Sequence, residues 1–216
     1  MFQGFSPETI DFLWGIRMNN NREWFGEHKQ QYVDTLYEPM KSLAAEISQK
    51  LAKHPGMICK TSRIYRDMRI PHDTPYKESL WICIRRDSTW WMREPSLYFE
   101  ITPDGFSYGF LFYDPTVQMM DEMRKDMATH PDEFLKMVKC VQRRSGLRVT
   151  GKTYKRKKPC PEQKVEEFFQ LKNIMMMHEE PVSEKLFSPE LATTVRKCLE
   201  ALYPLCQYCQ RFADMG

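Results

Sequence analysis

The 216-residue chain contains no apolar run near the roughly 18 residues that cross a bilayer, and its opening stretch, MFQGFSPETIDFLWG, lacks the basic start and apolar core of a secretory signal. No membrane partner and a cytoplasmic location are therefore expected. There is no glycine-rich phosphate loop and no serine nucleophile elbow, and none of the five histidines forms a ligand-spaced pair. The Cys206-x-x-Cys209 pair has no second CxxC or HxxxH nearby to make up the four ligands of a structural zinc site, so neither metal nor cofactor is expected. The seven cysteines are odd in number and scattered, which suits reduced thiols better than a disulfide framework. On a helix Cys198, Cys206 and Cys209 would fall within an arc of about 80°, shared with Leu191, Val195, Leu202 and Leu205, and so read as core. No repeat, low-complexity tract or linker divides the sequence, which is read as a single domain over residues 1–216.

What is present is ordinary globular composition, 42% hydrophobic and 28% charged, with charge unevenly placed. The net charge is +3, yet residues 143–158 (RRSGLRVTGKTYKRKK) hold eight basic residues and no acid, leaving 24 basic against 29 acidic elsewhere. Such a segment can contact nucleic-acid phosphates, with Tyr154 available to stack a base, although runs of this kind are commonly solvated loops.

Proline marks the helix starts. Pro7, Pro115, Pro131, Pro161 and Pro189 each stand where the first helical residue belongs, several with a capping side chain before and an acid after. A further helix is predicted from near Asn21, because Trp24/Phe25, His28, Tyr32, Leu36, Met40, Leu43/Ala44, Ile47 and Leu51 recur at helical spacing, with Pro39 kinking or splitting it. Between about Ser62 and Tyr113 the period becomes strand-like: Leu80–Ile84, Ser96–Ile101 and Phe106–Tyr113 are rich in β-formers, and Thr102-Pro103-Asp104-Gly105 is a turn. Leu147–Tyr154 reads as a further strand, and Met175–Met177 as core filler. Segregated helices and strands predict an α+β fold, with an antiparallel sheet of about four to six strands in the middle of the chain packed against N-terminal and C-terminal helices.

The densest chemistry lies in Arg63-Ile64-Tyr65-Arg66-Asp67-Met68-Arg69-Ile70. As a strand it would place Arg63, Tyr65, Asp67 and Arg69 on one face, and Arg66 with Ile64, Met68 and Ile70 on the other. Arg66 is then the most structural of the three arginines. Asp67 can accept charge-assisted bonds from both flanking arginines while leaving donors for an outside anion. His72, Asp73, Tyr76 and Lys77 follow on a proline-fixed loop.

The run Arg63-x-x-Arg66-Asp67-x-Arg69 with Asp73-Thr74-Pro75-Tyr76-Lys77 resembles the signature of a mostly bacterial family, domain-of-unknown-function family 2461. Phe5, the stretch Asn19–Phe25, Lys29, Tyr32 and Pro39 resemble the same family's opening helix pair. Tyr113-Asp114-Pro115 with Arg124, and Leu202–Leu205, are weaker matches. The sequence departs from the family at Ile70, where an aromatic is usual, and between Asp73 and Thr74, where a lysine is missing. The resemblance implies a fold and a site but no reaction.

The expected function is binding of an anionic small molecule or acidic peptide by Arg63, Arg66, Asp67, Arg69, Tyr76 and Lys77, with Asn20 and Arg22 beside them at a helix N-terminus. Local cations exceed Asp67 and Asp73 by two. One alternative is an enzyme acting on a phosphate-containing substrate with Asp67 or His72 as base. Another is a nucleic-acid or protein interaction module using residues 143–158. The competing structural reading is a buried salt-bridge network tying the motif to the Asn19–Phe25 junction.

Overall fold

The computed structural model describes residues 1–67 and 69–214; Met68, which the strand reading placed beside Arg66, lies outside the described residues. Helix α1 (Pro7–Met18) opens with Ser6 as N-cap and Pro7 at its first position. Asn21 caps α2 (Arg22–Glu27), its side chain accepting the Trp24 amide. The chain then runs through α3 (Lys29–Gln31), a π-helical stretch Tyr32–Tyr37, and α4 (Glu38–Ser48). Pro39 marks a break in this run, since the π-helical stretch ends at Tyr37 and α4 begins with Pro39 in its first turn. Lacking an N–H, it leaves the Thr35 carbonyl free, and the buried Thr9 hydroxyl donates to that carbonyl at 2.6 Å.

Five strands follow a simple meander: β1 (Met57–Thr61), β2 (Leu80–Arg86), β3 (Ser96–Thr102), β4 (Gly105–Phe112) and β5 (Ile174–Pro181), each antiparallel to its neighbour. The fold is α+β, with the helices on either side of the strand block in sequence. Between β4 and β5 lie α5 (Val117–Thr129), α6 (Pro131–Ser145) and α7 (Glu166–Phe169); α8 (Glu190–Ala213) closes the described chain. Prolines 7 and 131 do stand at the first helical position, and Pro189 directly precedes α8. Pro115 instead precedes a Thr116 cap, and Pro161 precedes only a 3₁₀ turn and the four-residue α7.

Two strands went unrecognised in the sequence, β1 and β5. Conversely, Leu147–Tyr154 is no strand: it forms isolated bridges, Thr150 to Met175 of β5 and Thr153 to Leu171 just before it. Gly151 explains the close approach, since a Cβ there would stand 2.2 Å from the Asn173 carbonyl oxygen.

Alternation divides the sheet into two faces. Ile82 and Ile84, Leu97, Phe99 and Ile101, Phe106, Phe110 and Phe112, and Ile174 and Met176 are buried on the face that carries α4 and α8. The buried stripe of α8 includes Cys198, Leu202, Leu205, Cys206 and Cys209, where the sequence placed it. The opposite face carries Trp81 and Cys83, Ser96, Tyr98 and Glu100, Ser107, Gly109 and Leu111, and Met175, Met177 and Glu179.

Candidate functional site

The RIYRDMRI motif begins where β1 ends. Ser62 still pairs with β2, donating its amide to the Trp81 carbonyl at 2.8 Å and accepting the Trp81 amide on its hydroxyl at 3.0 Å. The chain then turns away and anchors fully buried Ile64 in the core. A single antiparallel rung joins Tyr65 to Tyr76: the Arg66 amide donates to the Pro75 carbonyl (3.0 Å) and the Lys77 amide to the Ile64 carbonyl (2.7 Å). The motif is therefore a rung and a loop, not a continuous strand, and the strict two-face alternation expected of it does not hold. Proline at 71 and 75 limits further pairing, since neither can donate to a ladder.

The Tyr76 peptide is the keystone of the rung. Asn20 grips both its ends, its amide nitrogen donating to the Tyr76 carbonyl (3.1 Å) and its amide oxygen accepting from the Tyr76 N–H (3.0 Å). Arg66 donates Nε to the same carbonyl at 2.8 Å. The Tyr76 ring is buried, stacked on Phe25 with centroids 4.3 Å apart, and burial raises its phenol pKa. Asn20 and Tyr76, both expected to hold ligand, are thus occupied in joining the motif to the α1–α2 junction.

The charged groups divide clearly. Arg69 meets Asp67 in a bidentate pair (2.9 and 2.7 Å), and that hydrogen bonding lowers the Asp67 pKa to about 2. Arg63 does not join them, so the symmetric bracket of Asp67 expected from sequence does not form. The Arg69 side chain is 90% exposed, which makes this a surface pair rather than a buried network. Lys77 donates Nζ to the Arg63 carbonyl (2.9 Å) and stands 5.8 Å from the centre of the Trp81 ring. Burial, and then the neighbouring Arg66, lower its pKa. Among the described residues no carboxylate lies within ion-pair reach of Arg22, Arg63, Arg66 or Lys77. Arg66 also borders a hollow of about 270 Å³ with Pro71, His72, Asp73 and Thr74.

The basic segment is built differently. Arg143 and Arg144 end α6, which Gly146 caps in the left-handed conformation. Lys157 pairs with Glu166 (3.5 Å) and Lys158 with Asp121 (2.7 Å). The Tyr154 ring is faced by Arg124, Lys158 and Lys172 at 5.1–5.3 Å. Buried Arg124 holds the Phe169 and Leu171 carbonyls.

A second recess lies on the sheet face opposite α4 and α8, a cleft of about 480 Å³. Its floor is the row Cys83, Tyr98, Gly109 and Met177 and the row Trp81, Glu100, Ser107 and Glu179, each set directly opposed across the strands. Trp91 and Met92, from the 3₁₀ turn between β2 and β3, form one wall, with Trp91 stacked on Trp81 at 5.8 Å; Leu111, Tyr113 and Met175 border it elsewhere. Gly109 is required there, because a Cβ would stand 2.0 Å from the Met176 carbonyl oxygen. The readings from sequence missed this cleft. Its signal was available: β2 and β3 alternate core residues with Trp81, Cys83 and Tyr98, too apolar for a solvated face.

The matching family model, described as "Conserved hypothetical protein (DUF2461)", covers residues 8–208. The chain belongs to that family. The DUF2461 match takes in the α1–α2 junction, the motif loop, the sheet and most of α8. A search of curated proteins found no match.

Proposed function

We propose that the protein binds an anionic small molecule, a phosphate or carboxylate compound, at the mouth of the motif loop, with Arg63, Arg66 and Lys77 as its cations and Arg22 at the margin. One observation carries this reading. Arg66 and Lys77 stand side by side, each anchored through a single bond to a backbone carbonyl, with no carboxylate within ion-pair reach among the described residues. An architectural salt-bridge network would pair these charges with acids inside the fold; here the backbone supplies the architecture and cationic donors are left over. An anion reaching both would relieve their repulsion and remove the penalty that lowers the Lys77 pKa.

The enzymatic alternative has one supporting observation, the hollow that brings His72 and Asp73 beside Arg66. Asp67 serves it poorly as a base, because a carboxylate with a pKa of about 2 holds protons weakly.

The test is thermal unfolding with inorganic phosphate, nucleotides and dicarboxylates, against chloride at equal ionic strength. Stabilisation of the wild type is expected, and it should be lost in Arg63→Gln and Lys77→Gln variants that remain folded. A silent panel, or shifts that survive both substitutions, would refute the reading.

A further inference from the structure

The cleft on the other face of the sheet carries a charge problem of opposite sign. Glu100 lies directly across from Trp81, and Glu179 follows on the same row beyond Ser107. Neither carboxylate has a basic partner among the described residues; Glu100 accepts only the Ser79 hydroxyl, at 2.7 Å. Glu94, at the wall, is by contrast neutralised by Arg86 at 3.0 Å. In the row beside the acids stands Tyr98, 7% exposed, whose buried hydroxyl has no hydrogen-bond partner among the described residues. Burial pushes its pKa up to about 12, and Ser107 comes near enough to offset part of that rise without meeting hydrogen-bond geometry. A buried hydroxyl left unpaired is costly, and a ligand N–H that donates to its oxygen can remove part of that cost.

Around these groups the surface is apolar and aromatic. Trp91, Met92 and Tyr113 are all at least 44% exposed, an unusual display of large side chains at one recess. Unpaired carboxylates attract cations by charge and exposed aromatic rings attract them through their quadrupoles; Lys77 already stands over Trp81 and buried Arg85 over Trp91, each at 5.8 Å, so the carboxylates are the main selectors of ligand sign. The volume is that of a small-molecule site rather than a macromolecular interface.

We infer that this cleft binds a small organic cation, an ammonium compound with an apolar or aromatic body, the body against Trp81, Trp91 and Met177 and the charged nitrogen toward Glu100 and Glu179. The site is separate from the motif loop and does not depend on anion binding there. Lys77, 5.8 Å from the centre of the Trp81 ring, does not line the cleft.

Three ligands that share one ring and differ in charge test it by calorimetric titration of the full chain: 2-phenylethylammonium, 2-phenylethanol and phenylacetate. The ammonium should bind about tenfold more tightly than the alcohol, with phenylacetate weakest in the cleft. Glu100→Gln should abolish the difference while leaving the alcohol's affinity unchanged. Should that variant fail to fold, Glu179→Gln, at an exposed position, should reduce the preference. Equal affinity for ammonium and alcohol, a preference untouched by the substitutions, or no binding to folded wild type at millimolar ligand would overturn the inference. So would sedimentation showing a dimer that dissociates in Trp91→Ser, since a second copy would then occupy this face. Arg63→Gln should leave the ammonium affinity unchanged, which separates this outcome from the fate of the anion site.

Discussion

The motif loop and the helix-free sheet face are neighbours with opposite unpaired charge. Among the described residues, Arg66 and Lys77 lie together on the loop with no acid in ion-pair reach, and on the sheet Glu100 and Glu179 share a row with no basic partner. Trp81 stands between, with Lys77 over its ring and Glu100 directly opposite. A fold seeking only stability would let these groups meet. Their separation shows how backbone geometry decides which charges pair: Lys77 is held back by the Arg63 carbonyl, and Glu100 is held on the floor by Ser79. The remaining ion pairs, such as Arg17 with Glu78 (2.7 Å) and Arg86 with Glu94, show that acids and bases elsewhere do find one another.

The largest expected effect is on the loop. Asn20→Ala removes both side-chain bonds to the Tyr76 peptide and leaves a partly buried N–H and C=O to be satisfied otherwise. It should cost about 2 kcal/mol in denaturant unfolding. Cation spacing should be lost with it, so anion stabilisation should fall in the same variant. If Asn20→Ala were neutral in both stability and binding, the keystone role assigned to Tyr76's peptide would be wrong.

A smaller effect of opposite sign is expected on the sheet face. Tyr98→Phe deletes a buried hydroxyl that has no partner, so the ligand-free protein should be unchanged or stabilised by up to about 1 kcal/mol. A loss of 2 kcal/mol or more would mean that the hydroxyl is paired in solution, and would weaken the contrast between the two regions.

Much of this was legible in the sequence where chemistry is local. Pro7 and Pro131 opened helices because a first-turn proline gives up a donor that has no partner there anyway. The β3–β4 turn followed from Thr102-Pro103-Asp104-Gly105. What escaped depends on distant partners. β5 contains three consecutive methionines and then His178-Glu179-Glu180, a weak strand signal, and it is a strand because β4 pairs with it residue for residue across more than sixty positions of chain. Pro39 was expected to kink or split its helix, and the run does change from π to α there; the Thr9 hydroxyl that meets the Thr35 carbonyl comes from α1 and was not legible.

The motif's extended reading failed because its one ladder pairing among the described residues is the Tyr65–Tyr76 rung, after which the chain turns, the Ile70 amide donating to the Asp67 carbonyl at 3.0 Å. Alternation ranked Arg66 as the structural arginine; that alternation does not hold, and Arg66 donates Nε to the Tyr76 carbonyl, with no other side-chain bond among the described residues. Asp67 was expected to gather two arginines and gathers one.

The central claim, that the loop holds cations in want of an anion, rests on Lys77. Its folded pKa lies below 10.5, so the folded state binds that proton less well than the unfolded chain. The resulting penalty is present below the lowered pKa, and stability should therefore rise with pH between that value and 10.5. The most direct measurement is an NMR titration of the Lys77 side chain in the folded protein, in chloride and then in saturating phosphate. The account predicts a pKa below 10.5 in chloride that climbs when phosphate is present. A Lys77 that titrates at 10.5 in chloride and does not respond to phosphate, nucleotides or dicarboxylates would contradict it.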